Sequence, residues 1–258
     1  HIDSLRCMSE LVLIANAGDG TISTLLLHRD PRPRLEPLAT SGEVEGCGTF
    51  AVDAERDLVF AAYKGDQPGI ATLRLDRATG ELHELGRRGT EASMTYLSLA
   101  NDGHAQLGVT YGGGFGAVWP VEGPALGDPH SNFHHANLHC VVTAPQAQDT
   151  VVYAVSLGDD LIAQFRMDTA GFLTPLDPEL VRVADGSGPR HVVVEGSSAY
   201  VMTEFSGELV RFDVAADGTL TRAESVDVVN PVAGLVPSRI DADPQAEPLI
   251  WGADVHTA

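Results

Sequence analysis

The feature that most constrains this chain is its self-similarity. From Phe50 it reads Phe50-Ala51-Val52-Asp53, then residues 58–63, 69–76 and 80–85, four short β-rich runs parted by Gly, Asp and Pro. The third and fourth runs return at 160–168 with 171–174, and again at 208–213 with 217–220. An earlier copy occupies 21–27 and 34–38. Aligning the first strand of each repeat puts Phe50, Tyr96, His139, His191 and His256 at equivalent places, 43 to 65 residues apart. No useful stretch of 3.6-residue periodicity interrupts them. Repeats of four short strands without helices specify an all-β fold, a β-propeller of four-stranded antiparallel blades. A β-sandwich would not need one motif copied five times. Five repeats are expected to be complete, with a sixth beginning at Val255-His256. The expected organisation is therefore one propeller domain over 9–258, incomplete at its C-terminal end. Residues 1–8 are expected to be an N-terminal extension, because Met8-Ser9-Glu10 reads as a start.

Composition narrows the partners. Lys and Arg number 16 against 36 Asp and Glu, a net charge of −20. Such a field repels a polyanion, so no nucleic-acid partner is expected. No apolar run approaches the ~18–20 residues that span a bilayer, so no membrane partner is expected either. Cys7, Cys47 and Cys140 are odd in number and far apart. They do not make a disulfide framework or a cysteine-rich metal site, and they suit a reducing cytoplasm.

Several segments carry a family resemblance. Ser131-Asn132-Phe133 with Asn137-Leu138-His139 resembles the motif that opens the middle blade of the lactonase propellers. Gly186-Ser187-Gly188-Pro189-Arg190-His191 resembles that family's Gly-x-Gly-Pro-Arg-His sequence. Thr203-Glu204 with Ser206-Gly207 resembles its Asn-Glu-x-x-Ser segment, and Ala253-Asp254-Val255-His256 its Ala-Asp-x-His motif. Tyr111-Gly112-Gly113-Gly114 fits an earlier blade. The motifs stand in the family's order from about Leu11 onward. The family includes bacterial 6-phosphogluconolactonase and fungal carboxy-muconate cycloisomerase. The resemblance implies a metal-independent lactonase without cofactor, acting on a small sugar-derived or anionic lactone. It implies a catalytic trio of His139, Arg190 and Glu204, with Asn137, His256 and Tyr111 contacting substrate. Two departures, Thr203 in place of Asn and a short stretch between Arg190 and Glu204, touch substrate detail. A lactonising cycloisomerase and a non-catalytic binding platform stay open beside the hydrolase, since a fold does not fix function.

Physical chemistry points to the same residues. First strands line a propeller's channel, so residues at their starts gather at one mouth. His139, Arg190 and His256 are expected to begin three successive first strands, and Glu204 to end a second strand at the same rim. Opening a lactone requires an activated water, a stabilised oxyanion and a protonated leaving alkoxide. An imidazole titrates near neutrality, which suits His139 as general base. Arg190 can brace the oxyanion or clamp an anionic substituent, and Glu204 can orient either neighbour. The structural alternatives are a His139 that serves only backbone groups and an Arg190–Glu204 ion pair that only ties strands together. His191 alternates with Arg190 along a strand, so it is expected to face the other way and be structural. A helix would stack His135 over His139, but His134-His135-x-x-x-His139 sits in β-rich sequence without carboxylates at ligand spacing, so no metal is expected. Asp159-Asp160 and Gly112-Gly113-Gly114 read as turns, the latter lacking the helix of a phosphate loop.

Overall fold

The structure is a computed structural model that describes residues 10–123, 125–145 and 149–257. The proposed extension over 1–8, with Cys7, lies outside the described residues. The chain forms two compact units, one ending at Glu91 and one beginning at Ala92.

The first unit holds two antiparallel sheets. One joins β1 (Glu10–Asn16), β2 (Thr21–His28) and β3 (Arg34–Ser41); the other joins β4 (Phe50–Asp53), β5 (Leu58–Tyr63), β6 (Gly69–Leu75) and β7 (Leu82–Gly89). Ile22, Val59, Ala61, Ala71 and Leu73 share one core, with Leu11 and Leu13 packed against it. The first repeat thus has three strands rather than the expected four, because no strand precedes β1 among the described residues.

The second unit holds three sheets. The first comprises β8 (Tyr96–Ala100), β9 (Ala105–Val109), β10 (Phe115–Glu122), β11 (Ala125–Leu126) and β12 (Ser131–His134). The second runs β13 (Leu138–Pro145), β14 (Thr150–Ser156), β15 (Leu161–Met167) and β16 (Leu173–Arg182). The third runs β17 (Pro189–Glu195), β18 (Ser198–Thr203), β19 (Glu208–Val214) and β20 (Leu220–Asp227). Every pairing in these sheets is antiparallel. Ser131-Asn132-Phe133 does not open the middle blade as expected. The two residues of β11 pair only with Val121 and Glu122, so β12 takes the remaining edge of β10 and completes the earlier sheet.

Burial explains the layering. Val118, Phe133, Val152, Leu161 and Phe165 form one core between the first and middle sheets. Cys140, Tyr153, Ile162, Val201 and Phe212 form another between the middle and last. The middle sheet is covered on both faces, and β14 is accordingly buried from Val151 to Ser156. Buried polar groups tie the layers: the Tyr153 hydroxyl donates to Gly218 O at 2.5 Å, and Gln164 Oε1 accepts from Leu220 N at 2.7 Å. The first strands β8, β13 and β17 adjoin one another, with Ser98 Oγ donating to Val141 O at 2.9 Å.

Two irregularities decide where side chains point. Between β13 and β14 the register steps from Leu138–Ser156 to Cys140–Val155, leaving His139 without a partner. Between β17 and β18 it steps from Pro189–Thr203 to His191–Met202, leaving Arg190 without one. Each is a β-bulge at the second residue of a first strand. His139 is therefore equivalent to Arg190 and Cys140 to His191, one residue off the alignment drawn from sequence.

Beyond β20 the chain is irregular. The one helix among the described residues is the 3-10 turn Pro231–Ala233, and no helix is long and apolar enough to cross a membrane. The tail returns to the end of β18, where Gly252 N donates to Glu204 O at 2.8 Å. His256 does not begin a strand. Residues 251–257 have no ladder partner among the described residues, and extended backbone becomes a strand only when paired.

Candidate active site

The loop ahead of β17 is held by the Asp160 carboxylate, which accepts from Gly186 N at 2.7 Å and Gly188 N at 2.9 Å. Asp160 is thus turn chemistry, as expected, and it fixes the approach to Arg190. Asp159 Oδ2 likewise accepts from Ala136 N at 2.9 Å, ahead of β13. Glu204 is set by its own backbone, its N–H donating to Gly188 O at 2.6 Å. Thr203, in the place of the family's Asn, accepts from Glu208 N at 2.8 Å and holds the turn beyond it.

Arg190 Nε donates to Glu204 Oε2 at 2.7 Å. Both side chains are largely buried, at 24 % and 17 % exposure. Burial raises the Glu204 pKa against the opposing pull of Arg190, so the carboxylate is held by its partner in surroundings that disfavour charge. Arg190 also donates to Ala253 O in the tail. The His139 ring lies 5.1 Å from that of His191 and 6.0 Å from that of Tyr111. Burial chiefly, then the charge of Arg190, drives the His139 pKa down to about 3. Its Nδ1 is buried and hydrogen-bonds no other described residue. Burial, with Glu204 and Asp241 nearby, raises the Tyr111 pKa and keeps its hydroxyl protonated.

His191 departs from expectation. The bulge at Arg190 breaks strict alternation, so His191 turns to the same cluster as its neighbour. Its Nδ1–H donates to Asp254 Oδ1 at 2.5 Å, while Arg190 Nη1 stands 3.4 Å from its Nε2. Asp254 also receives Val255 N and His256 Nε2, each at 2.9 Å. Burial would raise Asp254, but the bonds from His191, Val255 and His256 outweigh it and hold its pKa at about 2. The sequence places Asp254 in the Ala-Asp-x-His motif but not against His191, because a coil residue shows that partner only once the tail is folded back.

Of the expected residues, the structure gathers Tyr111, His139, Arg190 and Glu204. His256 joins only through Asp254, with its own side chain 82 % exposed. Asn137 forms the left-handed turn before β13, at φ 50°, with its side chain close to Gly158. His134 lies beside Phe115 and His135 is 3.4 Å from Asp159, in a strand and a loop rather than on a helix. Tyr111-Gly112-Gly113-Gly114 turns β9 into β10.

Consecutive antiparallel sheets, mostly four-stranded, with almost no helix define a β-propeller, and in the second unit an Arg–Glu pair and two histidines gather at the starts of its first strands. The family model described as "Lactonase, 7-bladed beta-propeller" matches residues 12–256, and the chain belongs to that family. It is similar to the 6-phosphogluconolactonase of Sodalis glossinidius, 28% identical over 199 residues, covering 75% of this chain and 56% of that one. The 6-phosphogluconolactonase of Erwinia tasmaniensis is 25% identical over 231 residues, 86% of this chain and 62% of that one. Among solved structures, a Bacteroides fragilis protein provisionally named a 6-phosphogluconolactonase superposes with a TM-score of 0.78 at 26% identity, over 90% of this chain and 71% of that one. The periplasmic gluconolactonase PpgL of Pseudomonas aeruginosa shares the fold, with a TM-score of 0.76 at 24% identity, over 86% and 67%. The chain spans little more than half the length of the curated relatives it matches.

Proposed function

We propose that this protein hydrolyses a small sugar-derived or anionic lactone, of the 6-phosphogluconolactone type, by acid/base chemistry without a metal, in a cytoplasmic setting. The observation that carries this is the half-buried Arg190–Glu204 pair at 2.7 Å beside the His139 ring. A permanent cation with part of its fork engaged by Glu204 is fixed in direction, and its other N–H groups can brace an oxyanion or a phosphate. His139, neutral throughout the physiological range, hydrogen-bonds the attacking water or the lactone ring oxygen, and Tyr111 borders the substrate. The acidic chain disfavours nucleic acid, and Cys47 and Cys140, buried and unpaired, suit a reducing compartment. Among the described residues no group of three or more His, Cys, Asp or Glu is placed to hold a metal ion.

The test is a hydrolysis panel of 6-phosphoglucono-δ-lactone, glucono-δ-lactone and a muconolactone, run before and after exhaustive chelation. Hydrolysis of the sugar lactones, unchanged by chelation, is the expected result. Arg190→Lys should lower kcat/KM by ~10²-fold or more, because a point charge does not reproduce a two-pronged donor. A panel without turnover overturns the proposal, and recovery by a divalent cation after chelation overturns its metal-free part.

A further inference from the structure

His139 is a poor proton acceptor where it stands. Its Nδ1 is buried and hydrogen-bonds no other described residue, Arg190 is close, and no carboxylate is hydrogen-bonded to its ring among the described residues. In ring contact with it stands an imidazole that has what His139 lacks, a carboxylate hydrogen-bonded to the ring. His191 Nδ1 is 2.5 Å from Asp254 Oδ1, a contact that requires the proton on Nδ1 and makes Nε2 the acceptor nitrogen, which here takes a long hydrogen bond from Arg190. Its lone pair faces Arg190 Nη1 at 3.4 Å, too long for a strong bond but close enough to put acceptor and cation on one side. The His191 side chain is 14 % exposed, whereas Asp254 is 48 % exposed on the returning tail. Asp254 is itself braced by Val255 N and by His256 Nε2. A carboxylate fixing one ring nitrogen while the other faces the reacting centre is the arrangement that sets tautomer and orientation in hydrolytic His–Asp pairs.

We propose that His191, oriented by Asp254, is the proton-transfer residue of this site. The inference rests on the lactonase reading above. A water gives its proton to His191 Nε2 as its oxygen bonds to the lactone carbonyl carbon. The carbonyl electron pair moves to an oxyanion held by Arg190. Collapse re-forms the carbonyl and breaks the ring C–O bond, and the departing alkoxide takes the proton back from His191. The net change is one water added and one hydroxy acid formed. Asp254 keeps its charge throughout and acts as a positioning residue. Burial lowers the His191 pKa, while the Asp254 hydrogen bond opposes that fall and Arg190 and His256 add to it. The groups packed around the ring are Tyr96, His139, Arg190, Asp254 and His256.

The experiment compares His191→Gln, Asp254→Asn and His139→Gln in the full chain on 6-phosphoglucono-δ-lactone and glucono-δ-lactone. It adds pH profiles and 15N NMR of the histidine rings. His191→Gln should lower kcat by ~10²–10⁴-fold, with KM changing far less, and more than His139→Gln does. Asp254→Asn should lower kcat by at least ~10-fold and move the acidic limb of kcat/KM to lower pH, a shift that a purely structural pair would not produce. The NMR signals should show one ring fixed as the Nδ1–H tautomer, and Asp254→Asn should release it. Asp254 lies on the exposed tail, so that variant should keep the fold even if His191→Gln does not. Hydrolysis by the wild type with kcat undiminished in Asp254→Asn, or with a mixed His191 tautomer, overturns the pair and leaves the lactonase reading standing. Absence of hydrolysis by the wild type overturns both.

Discussion

His139 and His191 are neighbours, with ring centres 5.1 Å apart, and burial and Arg190 lower the pKa of both, though only His191 has a carboxylate hydrogen-bonded to its ring to oppose that fall. For His139, burial and Arg190 act together and drive the pKa from 6.5 to about 3. The folded protein therefore resists protonation at this ring, and the unfolded chain takes the proton first as pH falls. The contribution to stability is complete above pH 6.5 and is lost progressively as pH falls toward 3, by up to ~1.4 kcal/mol per pH unit. His139→Gln should remove that slope, so that its urea midpoint falls less than the wild type's between pH 6.5 and 4. Equal falls in both proteins would show that His139 is not the source. The Asp254 carboxylate, held at about 2, loses its contribution as pH falls from 3.8 toward 2, so above pH 4 the slope comes from His139 and not from Asp254.

At the scale of the element, the site depends on how β17 begins. Gly188 has φ +63°, and a Cβ there would lie 2.5 Å from Phe205 Cδ2. Gly188→Ala should therefore cost about 2–4 kcal/mol in chemical denaturation and displace Arg190 from Glu204. A melting profile like the wild type's would show that the turn tolerates the change. The strands themselves were legible in the sequence, because alternating β-branched runs parted by Gly and Asp have a period that survives without tertiary context. Tyr111, His139, Arg190 and Glu204 were legible through motifs that accompany those strands. The bulges were not, since an extra residue in a ladder leaves no mark on hydrophobic alternation. That one omission displaced the repeat alignment by a residue and turned His191 to the wrong face. Asp254 stood in the Ala-Asp-x-His motif, but its role did not show, because its contact with His191 forms only once the coil after Ile250 has folded back against β18.

On the scale of the molecule, the gathered side chains all belong to the second unit, from Tyr111 to Asp254. The chain's −20 charge surrounds them with a repulsive field for any anion. A phosphorylated lactone must cross that field before Arg190 can hold it. Salt screens the long approach more than the short, largely buried contact. The kcat/KM for 6-phosphoglucono-δ-lactone should therefore rise about 2–5-fold from 10 to 150 mM ionic strength, while that for uncharged glucono-δ-lactone stays level. A fall with salt for the phosphorylated substrate would mean that attraction near the site outweighs the overall charge.

At the paired bulges, His139 and Arg190 occupy the same socket in two successive repeats, each the one residue that its ladder leaves unpaired. A residue in that socket carries no rung of the ladder between the first two strands, so its side chain is constrained by the site's contacts more than by the pairing of the blade. The same backbone device thus presents an imidazole in one repeat and a guanidinium in the next.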